Sequence, residues 1–502
     1  MAVSVVGGRT ALSVQTLVDM RNQLTDLQRQ IATGKRSESY AGLGLDRGLT
    51  VGLRGHLAAM EGYKQSIQLV NVRLNVAQTA LSNIGEVVRA SKIMTLQSPF
   101  VLNGSNQTTE QKTALGQLDE IVGQLNVQAG DRWIFSGAAG DRPSTDTTDH
   151  ILNGDGARAG LTQIINERRQ ADLGASGLGR LVITQPGPGP ATMRLAEDVA
   201  GSPFGFKLAS VTSTLSTTTV TGPAGVPPAI DLDMTGNPAA GGTIQFFFTL
   251  PDGSSENIAL TATNSLTPGP NEFQVGGSAA VTRNNLQALL NTKLSQLAGT
   301  SLTAASALAA GKDFFDIDSA DPPLRVAGPP FDTATALVAG TPNDTVSWYI
   351  GEAGTGSARA TATARIDQSL VVSYGMRGNE DALRSAVQHI AVFACSTFSS
   401  TNPNAEGNYN ALTQRVAAAL NGVPGQQRIA DIEAELAGGQ SAMKAANERH
   451  DQTSAMMEDF LQRVEGAPKE EVGAQLLALQ TSLQATLQTT AMLMQTNLLN
   501  YI

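Results

Sequence analysis

Apolar residues near both ends of the chain recur at alternating steps of three and four positions. Such a stripe lies along one face of an α-helix and predicts lengthwise packing against another helix. The longest stripe in the N-terminal part comprises Met60, Tyr63, Ile67, Val70, Leu74, Ala77, Leu81, Ile84 and Val88. Shorter ones comprise Leu17, Met20, Leu24, Leu27 and Ile31, and Leu115, Leu118, Val122, Leu125 and Ala129.

The C-terminal part has the same spacing. One stripe comprises Leu436, Met443, Ala446, Thr453, Met457, Phe460 and Val464, with Gly439 and His450 at two of its positions. After Gly466-Ala467-Pro468, a second stripe comprises Val472, Leu476, Leu479, Leu483, Leu487, Ala491, Met494, Leu498 and Tyr501. We expect this last helix to pack on the N-terminal stripe, and its surplus apolar positions also suit contacts with other copies.

Seventeen residues are the candidates for helix packing and self-assembly. In the N-terminal part they are Leu17, Leu24, Leu27, Ile31, Ile67, Val70, Leu74, Leu81, Ile84 and Val88. In the C-terminal part they are Leu476, Leu479, Leu483, Leu487, Met494, Leu498 and Tyr501.

The middle of the chain has a different pattern. Of 21 prolines, 17 lie between Pro143 and Pro342. Residues 243–263 read as two strands joined by a Pro251-Asp252-Gly253 turn, because proline presets φ and glycine tolerates positive φ. The Ser/Thr-rich stretch from Ser210 reads as a strand or an exposed linker. Further strands are expected at 346–350, 358–366 and 370–374, and helices at 158–173 and 284–297. Leu383, Val387, Ile390 and Ala394 share one face of a later helix.

These patterns predict an α+β fold in which both chain ends form a long antiparallel helical bundle or coiled coil around an inserted β-rich middle domain. The expected domains are a helical segment 1–142, a middle domain 143–375 and a helical segment 376–502 that packs on the first.

Composition narrows the classes of function. The net charge is -10 with no basic patch, which argues against nucleic-acid binding. A helix that spans a membrane needs about 18 consecutive apolar residues, and no stretch of the sequence is that long. We therefore expect no membrane insertion. The N-terminus has no apolar run typical of a cleaved signal, which leaves a cytoplasmic protein or one exported by an uncleaved end. Cys395, the single cysteine, reads as a small core residue.

The search for catalytic chemistry is negative. The four histidines have no metal-ligand spacing, and no G-x-S-x-G motif occurs. The cluster Asp313, Asp316, Asp318 and Asp321 lacks the glycine and third ligand of a calcium loop, so a solvated turn is the preferred interpretation. The glycine-rich stretch 42–55 reads as a hinge between helices. We therefore predict a protein that is not an enzyme and has no cofactor.

The stretch 125–143 contains an apolar cluster of Trp133, Ile134 and Phe135, followed by Gly137. It lies where the N-terminal helical pattern ends. Our hypothesis is that these residues form a strand-like exit from the bundle and bury aromatic area at the base of the middle domain. An interdomain core is preferred over a direct contact with a partner.

Several motifs resemble the flagellin superfamily of bacterial axial proteins. Residues 130–137, GDRWIFSG, are similar to the "G-x-Y-I-F-[SA]-G" signature of its hook-filament junction family. Residues 31–36 match the "ATGKR" turn, residues 371–383 resemble the strand into a "YG-x-R-AN-E" helix, and 495–502 fit the C-terminal ending. Where the family carries a Ser/Asp-Asp-Pro turn, this chain has 39–44, SYAGLG. The resemblance covers roughly the first 180 and the last 130 residues.

The resemblance implies a secreted structural protein of the bacterial flagellum, exported unfolded through the type III channel. It would join hook to filament as a short ring of subunits. Implied partners are copies of itself, a hook-side junction protein, flagellin and an export chaperone that covers the C-terminal stripe. A flagellin that forms the filament is the close alternative. A secreted enzyme with flagellin-like export ends and a non-flagellar coiled-coil scaffold are the more distant ones.

Overall fold

The computed structural model describes residues 3–97, 99–186, 191–316, 323–352 and 354–499; the side chains of 3–13 and 493–499 lie outside the described set. The fold is mixed α+β, 53% helical and 16% strand, with long helices and several small sheets. Within these ranges, no helix is long and apolar enough to cross a lipid bilayer.

The α-helices are α1 Val3–Thr33, α2 Arg47–Gln97, α3 Thr109–Leu125, α4 Thr148–Asn153, α5 Leu161–Leu173, α6 Ala279–Leu297, α7 Thr303–Phe315, α8 Asp381–Cys395, α9 Ala405–Leu420, α10 Ile429–Glu465 and α11 Lys469–Leu499. Tyr40–Asp46 and Ala358–Thr361 are 3₁₀-helical, and Ala298–Leu302 is a π-helical turn. The strands are β1 Gln128–Ala129, β2 Arg132–Trp133, β3 Leu181–Thr184, β4 Thr192–Glu197, β5 Lys207–Ser213, β6 Thr218–Ala224, β7 Ala229–Met234, β8 Thr243–Thr249, β9 Ser255–Thr263, β10 Glu272–Gln274, β11 Leu324–Val326, β12 Leu337–Ala339, β13 Thr363–Arg365 and β14 Val371–Ser373.

The chain forms two compact units. The first contains residues 1–69, 365–372 and 441–502, and the second contains 70–364 and 373–440. Helices α2 and α10 each contribute residues to both units. The domain boundaries expected from the sequence, at residues 142 and 375, stay predictions.

In the first unit, helices from the two ends of the chain are in contact. Helix α1 contacts α11, and the turns that follow α1 and precede α11 are hydrogen bonded: Ala467 N donates to Gly34 O at 3.0 Å, and Arg36 N donates to Glu465 O at 2.8 Å. The Arg54 guanidinium binds the Glu465 carboxylate through Nε at 3.0 Å and Nη2 at 2.7 Å. These bonds hold residues from opposite ends of the sequence side by side.

Farther along the first unit, α2 and α10 residues pair with opposite chain direction. The rings of Tyr63 and His450 stack with centroids 5.6 Å apart, and Lys64 Nζ lies 2.7 Å from Asp451 Oδ1. Arg54, nearer the start of α2, pairs with Glu465 at the end of α10. Residue numbers that rise on α2 therefore pair with numbers that fall on α10, which is an antiparallel arrangement.

The second unit contains two four-stranded sheets, in the orders β10-β9-β8-β5 and β3-β4-β7-β6. On β8, alternate side chains are buried, with Ile244, Phe246 and Phe248 each 0% exposed. This period of two turns one sheet face to the core. Both sheets and one face of α6, with Leu286 and Leu290, share a single hydrophobic cluster.

Helix α3 begins with a capping box. Gln111 N donates to Thr108 Oγ1 at 3.3 Å, and Thr108 N donates to Gln111 Oε1 at 3.0 Å. The reciprocal bonds satisfy backbone donors that a helix start leaves free. The Gln111 amide also donates to the carbonyl oxygens of Phe393 at 2.8 Å and Ser396 at 2.7 Å. The same side chain therefore starts α3 and ties it to the end of α8.

Local predictions in the middle of the chain are confirmed where turns and alternation are clear. Strands β8 and β9 flank the predicted turn, where Leu250 N donates to Ser254 O at 2.8 Å and Gly253 has φ +82°. The Ser/Thr-rich stretch forms β5 and β6. The helix expected at 284–297 begins earlier, because Ser278 caps α6 through its side chain. The face with Leu383 and Ile390 on α8 is buried.

One strand prediction is wrong and another is confirmed only in part. Residues 346–350 form no strand; Tyr349 makes only an isolated bridge to Thr145. Val346, Trp348 and Tyr349 are buried, at 0 to 1% exposure, but they do not belong to a sheet. Their apolar side chains therefore indicate burial and not strand structure. Of the strand expected at 358–366, only β13 forms, since Ala358–Thr361 is 3₁₀-helical.

Candidate functional site

The candidate residues of the terminal helices are only partly covered. On α1, Leu17, Leu24 and Leu27 are half-buried, and Ile31 is 37% exposed. On α11, Leu476, Leu479 and Leu483 are half-buried and Leu487 is 49% exposed. Other large apolar side chains of these two helices are more exposed: Val14 at 57%, Leu477 at 65% and Met492 at 63%. Met494, Leu498 and Tyr501 lie outside the described side chains.

The candidate residues of α2 are core residues. Ile67 and Val70 are each 2% exposed, and Leu74, Leu81 and Ile84 are 0% exposed. These side chains stabilise the fold, and because they are buried they present no surface to a partner. The next predicted position, Val88, is only half-buried.

Beyond Ile84 the buried face of α2 differs from the predicted stripe at one position. Val87 is buried in place of Val88, and Ser91 and Thr95 follow it. Ser91 and Thr95 lie seven residues after Ile84 and Val88, so the three-and-four repeat itself continues and the buried face differs from it only in the exchange of Val88 for Val87. The buried hydroxyls are paired, since Ser91 donates to Gln117 Oε1 at 2.6 Å and Thr95 donates to Lys92 O at 2.9 Å.

The two stretches that carry the strongest motif resemblance are paired with each other. Gly137 N donates to Met376 O at 2.9 Å, and Gly378 N donates to Phe135 O at 2.7 Å. Ser136 and Arg377 form an antiparallel bridge between these bonds. Residues 126–147, which lead from α3 toward the middle of the chain, are called the outgoing segment, and residues 340–380, which lead back into α8, are called the returning segment. The two segments therefore lie side by side at this point.

The apolar cluster of the outgoing segment is buried in part. Phe135 is 0% exposed and Ile134 is 6% exposed, whereas Trp133 is half-buried in a short hairpin of β1 and β2. Trp133 N donates to Gly140 O at 2.9 Å. Phe135 therefore supplies the fully buried anchor of the cluster, and Trp133 lies at its edge.

Gly137 sits in a conformation and a space that only glycine fits. Its φ is +65°, in the left-handed region. A Cβ at this position would lie 2.2 Å from Glu352 Oε2 and 3.1 Å from Arg377 Cγ. The Glu352 carboxylate occupies this space because it accepts a 2.8 Å hydrogen bond from Ala138 N.

A second pair of hydrogen bonds joins the outgoing and returning segments. Ile350 N donates to Ser144 O at 2.9 Å, and Asp146 N donates to Trp348 O at 3.0 Å. Trp348 is fully buried, and its Nε1 donates to Phe315 O at 3.0 Å. Sequence reasoning missed this tryptophan, although the chain has only two.

Beside the returning segment is a charged cleft of about 600 Å³, lined by residues that include Arg359, Arg377 and Arg384. Arg384 lies 2.7 Å from both Asp316 and Asp381. Arg359 pairs with Glu380 and, at 3.0 Å, with Glu435. Arg377 donates to the carbonyl oxygens of Gly354 and Gly356. Each guanidinium is therefore engaged within the protein.

Two carboxyl groups with raised pKa, those of Asp172 and Asp313, lie on α5 and α7. Burial raises the pKa of Asp172, although Arg168 Nε at 2.9 Å and Gly205 N at 2.7 Å donate to its carboxylate. Burial also raises the pKa of Asp313, which lies 2.8 Å from Arg168 Nη1. The Arg168 guanidinium lies over the Phe204 ring, 5.1 Å from its centroid. This network holds two helices together.

Among the described residues, no group of three or more His, Cys, Asp or Glu side chains is placed to hold a metal ion. Of the predicted aspartate cluster, Asp313 and Asp316 bind arginines, and Asp318 and Asp321 lie outside the described residues. Burial raises the pKa of the Cys395 thiol to about 12, so it is held as an unreactive thiol. A scan of protein-family models and a search of curated proteins found no match for the chain.

Proposed function

We propose that the protein is a secreted, self-assembling component of the bacterial flagellum, placed at the hook-filament junction as a short ring of subunits. The observation that carries the proposal is the pairing of residues 135–137 with 376–378. Both stretches resemble the junction family separately, and their hydrogen bonds make them one structural element. This paired element would hold the chain in place where it passes from the helices into the middle domain.

The proposed architecture is a long antiparallel bundle formed by the helices of both chain ends. The contact of α1 with α11 and the antiparallel pairing of α2 with α10 support it. The domains would be the helical segment 1–142, the middle domain 143–375 and the helical segment 376–502.

Assembly would use the apolar positions that α1 and α11 leave uncovered. Val14 is 57% and Leu487 is 49% exposed, so these helices present apolar area that other chains could cover. Copies of the protein, a hook-side junction protein and flagellin would cover them in the assembled flagellum. Before export, a chaperone would cover the C-terminal stripe, because an isolated amphipathic helix has little stability of its own.

Catalysis, a cofactor, nucleic-acid binding and membrane insertion have no part in the proposal. A flagellin that forms the filament is the alternative with the same fold. Its distinguishing property is distribution, since a flagellin lies along the whole filament and a junction protein in one narrow band.

Immunogold electron microscopy tests the proposal first, with an antibody against the middle domain, on intact flagella of the bacterium that produces the protein. We expect gold label in a band where the straight filament leaves the curved hook. Label along the filament would assign a flagellin instead. Flagella without label would overturn both assignments and favour a secreted enzyme or a scaffold outside the flagellum.

A pair of variants on α11 tests the assembly surface. Leu487→Asp places a charge in an apolar position that is 49% exposed, and Gln484→Asp places the same charge at an exposed polar position. We expect both proteins to be secreted, and only Leu487→Asp to reduce the number of labelled junctions. Equal numbers of labelled junctions for the two variants would contradict the role of this face.

A further inference from the structure

A surface groove runs along one side of α5. It consists of two neighbouring cavities of about 350 and 550 Å³ that share Gln170 and Phe331. One wall carries amide side chains, Asn153, Gln163, Asn166 and Gln170, and the other carries the Phe331 ring. We propose that this groove, called the α5 groove below, binds a neutral oligosaccharide.

Two amides of the α5 groove, Gln163 and Asn166, are held in position by the protein. Gln163 Nε2 donates to Glu167 Oε1 at 3.0 Å, and Asn166 Nδ2 donates to Thr162 O at 2.9 Å. A side-chain amide has two N–H donors and a carbonyl oxygen, so one internal bond leaves donor and acceptor capacity on each group. Amides that are already ordered lose less conformational entropy when a ligand binds. Neighbouring donor and acceptor pairs of this kind match the hydroxyl groups of a sugar.

The electrostatics of the α5 groove favour a neutral ligand over an anion. Glu167 is 2% exposed, and Arg325 binds its carboxylate through Nε at 3.2 Å and through Nη2. Its charge is therefore balanced inside the protein. At the rim, Asp332 adds a carboxylate, which repels a negatively charged ligand.

The Phe331 ring forms a fixed apolar wall. It packs against a buried cluster that includes Phe204 and Val326. A Cβ at Gly328 would lie 2.4 Å from the ring, so the ring rests directly on that backbone. The loop is anchored by Arg180, whose Nη1 donates to Asp332 O at 2.8 Å. An aromatic face opposite ordered polar groups is a common arrangement in small-molecule sites and suits the C–H face of a sugar ring.

The length of the α5 groove indicates an oligosaccharide. Gln163 and Gln170 are seven residues apart on α5, which corresponds to about 10 Å along the helix axis. A single sugar ring is shorter than this wall. The amides at both ends of the wall can contact one ligand only if it contains several linked rings.

Saturation-transfer difference NMR and titration calorimetry on the full chain test the proposal. The probes are maltotriose, cellotriose and triacetylchitotriose, with trigalacturonic acid as the anionic counterpart. We expect at least one neutral trisaccharide to bind and the anionic one to bind at least tenfold more weakly. Gln170→Ala removes an amide from an exposed helix position, and Phe331→Leu keeps apolar packing but removes the ring face. Each should weaken binding about tenfold, the effect of losing one good contact.

Gln185→Ala is the matched control, because Gln185 is also an exposed glutamine but pairs with Gln287, away from α5. It should leave the dissociation constant unchanged. The proposal is overturned if none of the neutral trisaccharides binds, if the anionic one binds best, or if binding is the same in Gln170→Ala, Phe331→Leu and the control. Thermal unfolding of each variant shows whether the fold is retained, and the exposed Gln170→Ala decides the outcome if Phe331→Leu is unstable.

Discussion

Replacing Gly137 by alanine should disrupt the pairing of residues 135–137 with 376–378. The new Cβ would lie 2.2 Å from Glu352 Oε2, closer than side-chain atoms approach one another. The Glu352 side chain must therefore move, and its hydrogen bond to Ala138 N must break. Gly130→Ala is the matched control, because Gly130 has a similar φ of +69° but open space within 4 Å of the position that a Cβ would take.

The expected loss has two parts. An alanine in the left-handed region costs about 1–2 kcal/mol relative to glycine, and this part is common to both variants. Loss of a hydrogen bond to a charged carboxylate costs about 1.5–3 kcal/mol, and this part belongs to Gly137→Ala alone. We therefore expect Gly137→Ala to lower the free energy of unfolding by about 2 kcal/mol more than Gly130→Ala does.

Urea unfolding followed by tryptophan fluorescence measures this difference. The two tryptophans, Trp133 and Trp348, both belong to the second unit and lie on the outgoing and returning segments. Their fluorescence therefore reports on the part of the chain that contains the substitution. Equal destabilisation by the two variants would show that the space around Gly137 has no energetic role and would refute the reasoning.

Three further outcomes follow from burial and charge. Leu81→Ala, at a 0% exposed position, should lower the free energy of unfolding measured in urea by about 2–5 kcal/mol. Leu96→Ala, at a 62% exposed position on the same helix, should change it by less than about 0.5 kcal/mol. Similar losses for the two variants would contradict the assignment of Leu81 to the core. Cys395 is half-buried, and desolvation by the surrounding protein raises its pKa to about 12. Its reaction with a disulfide reagent at pH 8 should therefore be about 10³-fold slower in the folded than in the urea-unfolded protein, and comparable rates would contradict the raised pKa. Hydrogen bonds from Arg158 lower the pKa of Asp155 from 3.8 to about 2. The stabilising effect of the ionised Asp155 is therefore fully present above pH 3.8 and is lost as the pH falls through 2. Asp155→Asn should remove this part of the acid dependence of unfolding, and an unchanged acid profile would contradict the prediction.

The helices could be predicted from the sequence because their signal is local. On α2, the spacing alone identifies Leu74, Leu81 and Ile84 as buried. The prediction departs from the structure at Val88, which is half-buried while its neighbour Val87 is buried, and the buried positions Ser91 and Thr95 lie on the original spacing again. A local pattern therefore locates the buried face of a long helix but does not identify every residue that is buried at the edge of that face.

The strands depend more on context. Residues 243–263 have both alternation and a turn with its own mechanism, and they form the hairpin of β8 and β9. Residues 346–350 are equally apolar but form no strand, because the Trp348 side chain is buried beside Phe315 while the backbone bonds to scattered partners. Apolar composition alone predicts burial and does not identify the backbone conformation.

The candidate site could be predicted only in pieces. Residues 135–137 and 376–378 were both recognisable as motifs, but nothing in either stretch identifies the other as its partner across such a long separation in sequence. The α5 groove has no signal of its own, since Gln163, Asn166 and Gln170 read as an ordinary solvated helix face. Only the position of the Phe331 loop makes that face one wall of a groove.

The hydrogen bonds of Ser144 with Ile350 and of Asp146 with Trp348 join the two ends of the stretch 146–348. A stretch closed on itself in this way can gain or lose residues in evolution without changing the distance that its flanking chain must bridge. The stretch is not independent of the rest of the chain, because α7 within it contacts α8 and α9 outside it and Arg415 pairs with Asp252. Changes of length are therefore best tolerated in exposed loops of this stretch that lie away from those contacts, while the bonds at Ser144 and Ile350 keep its two ends together.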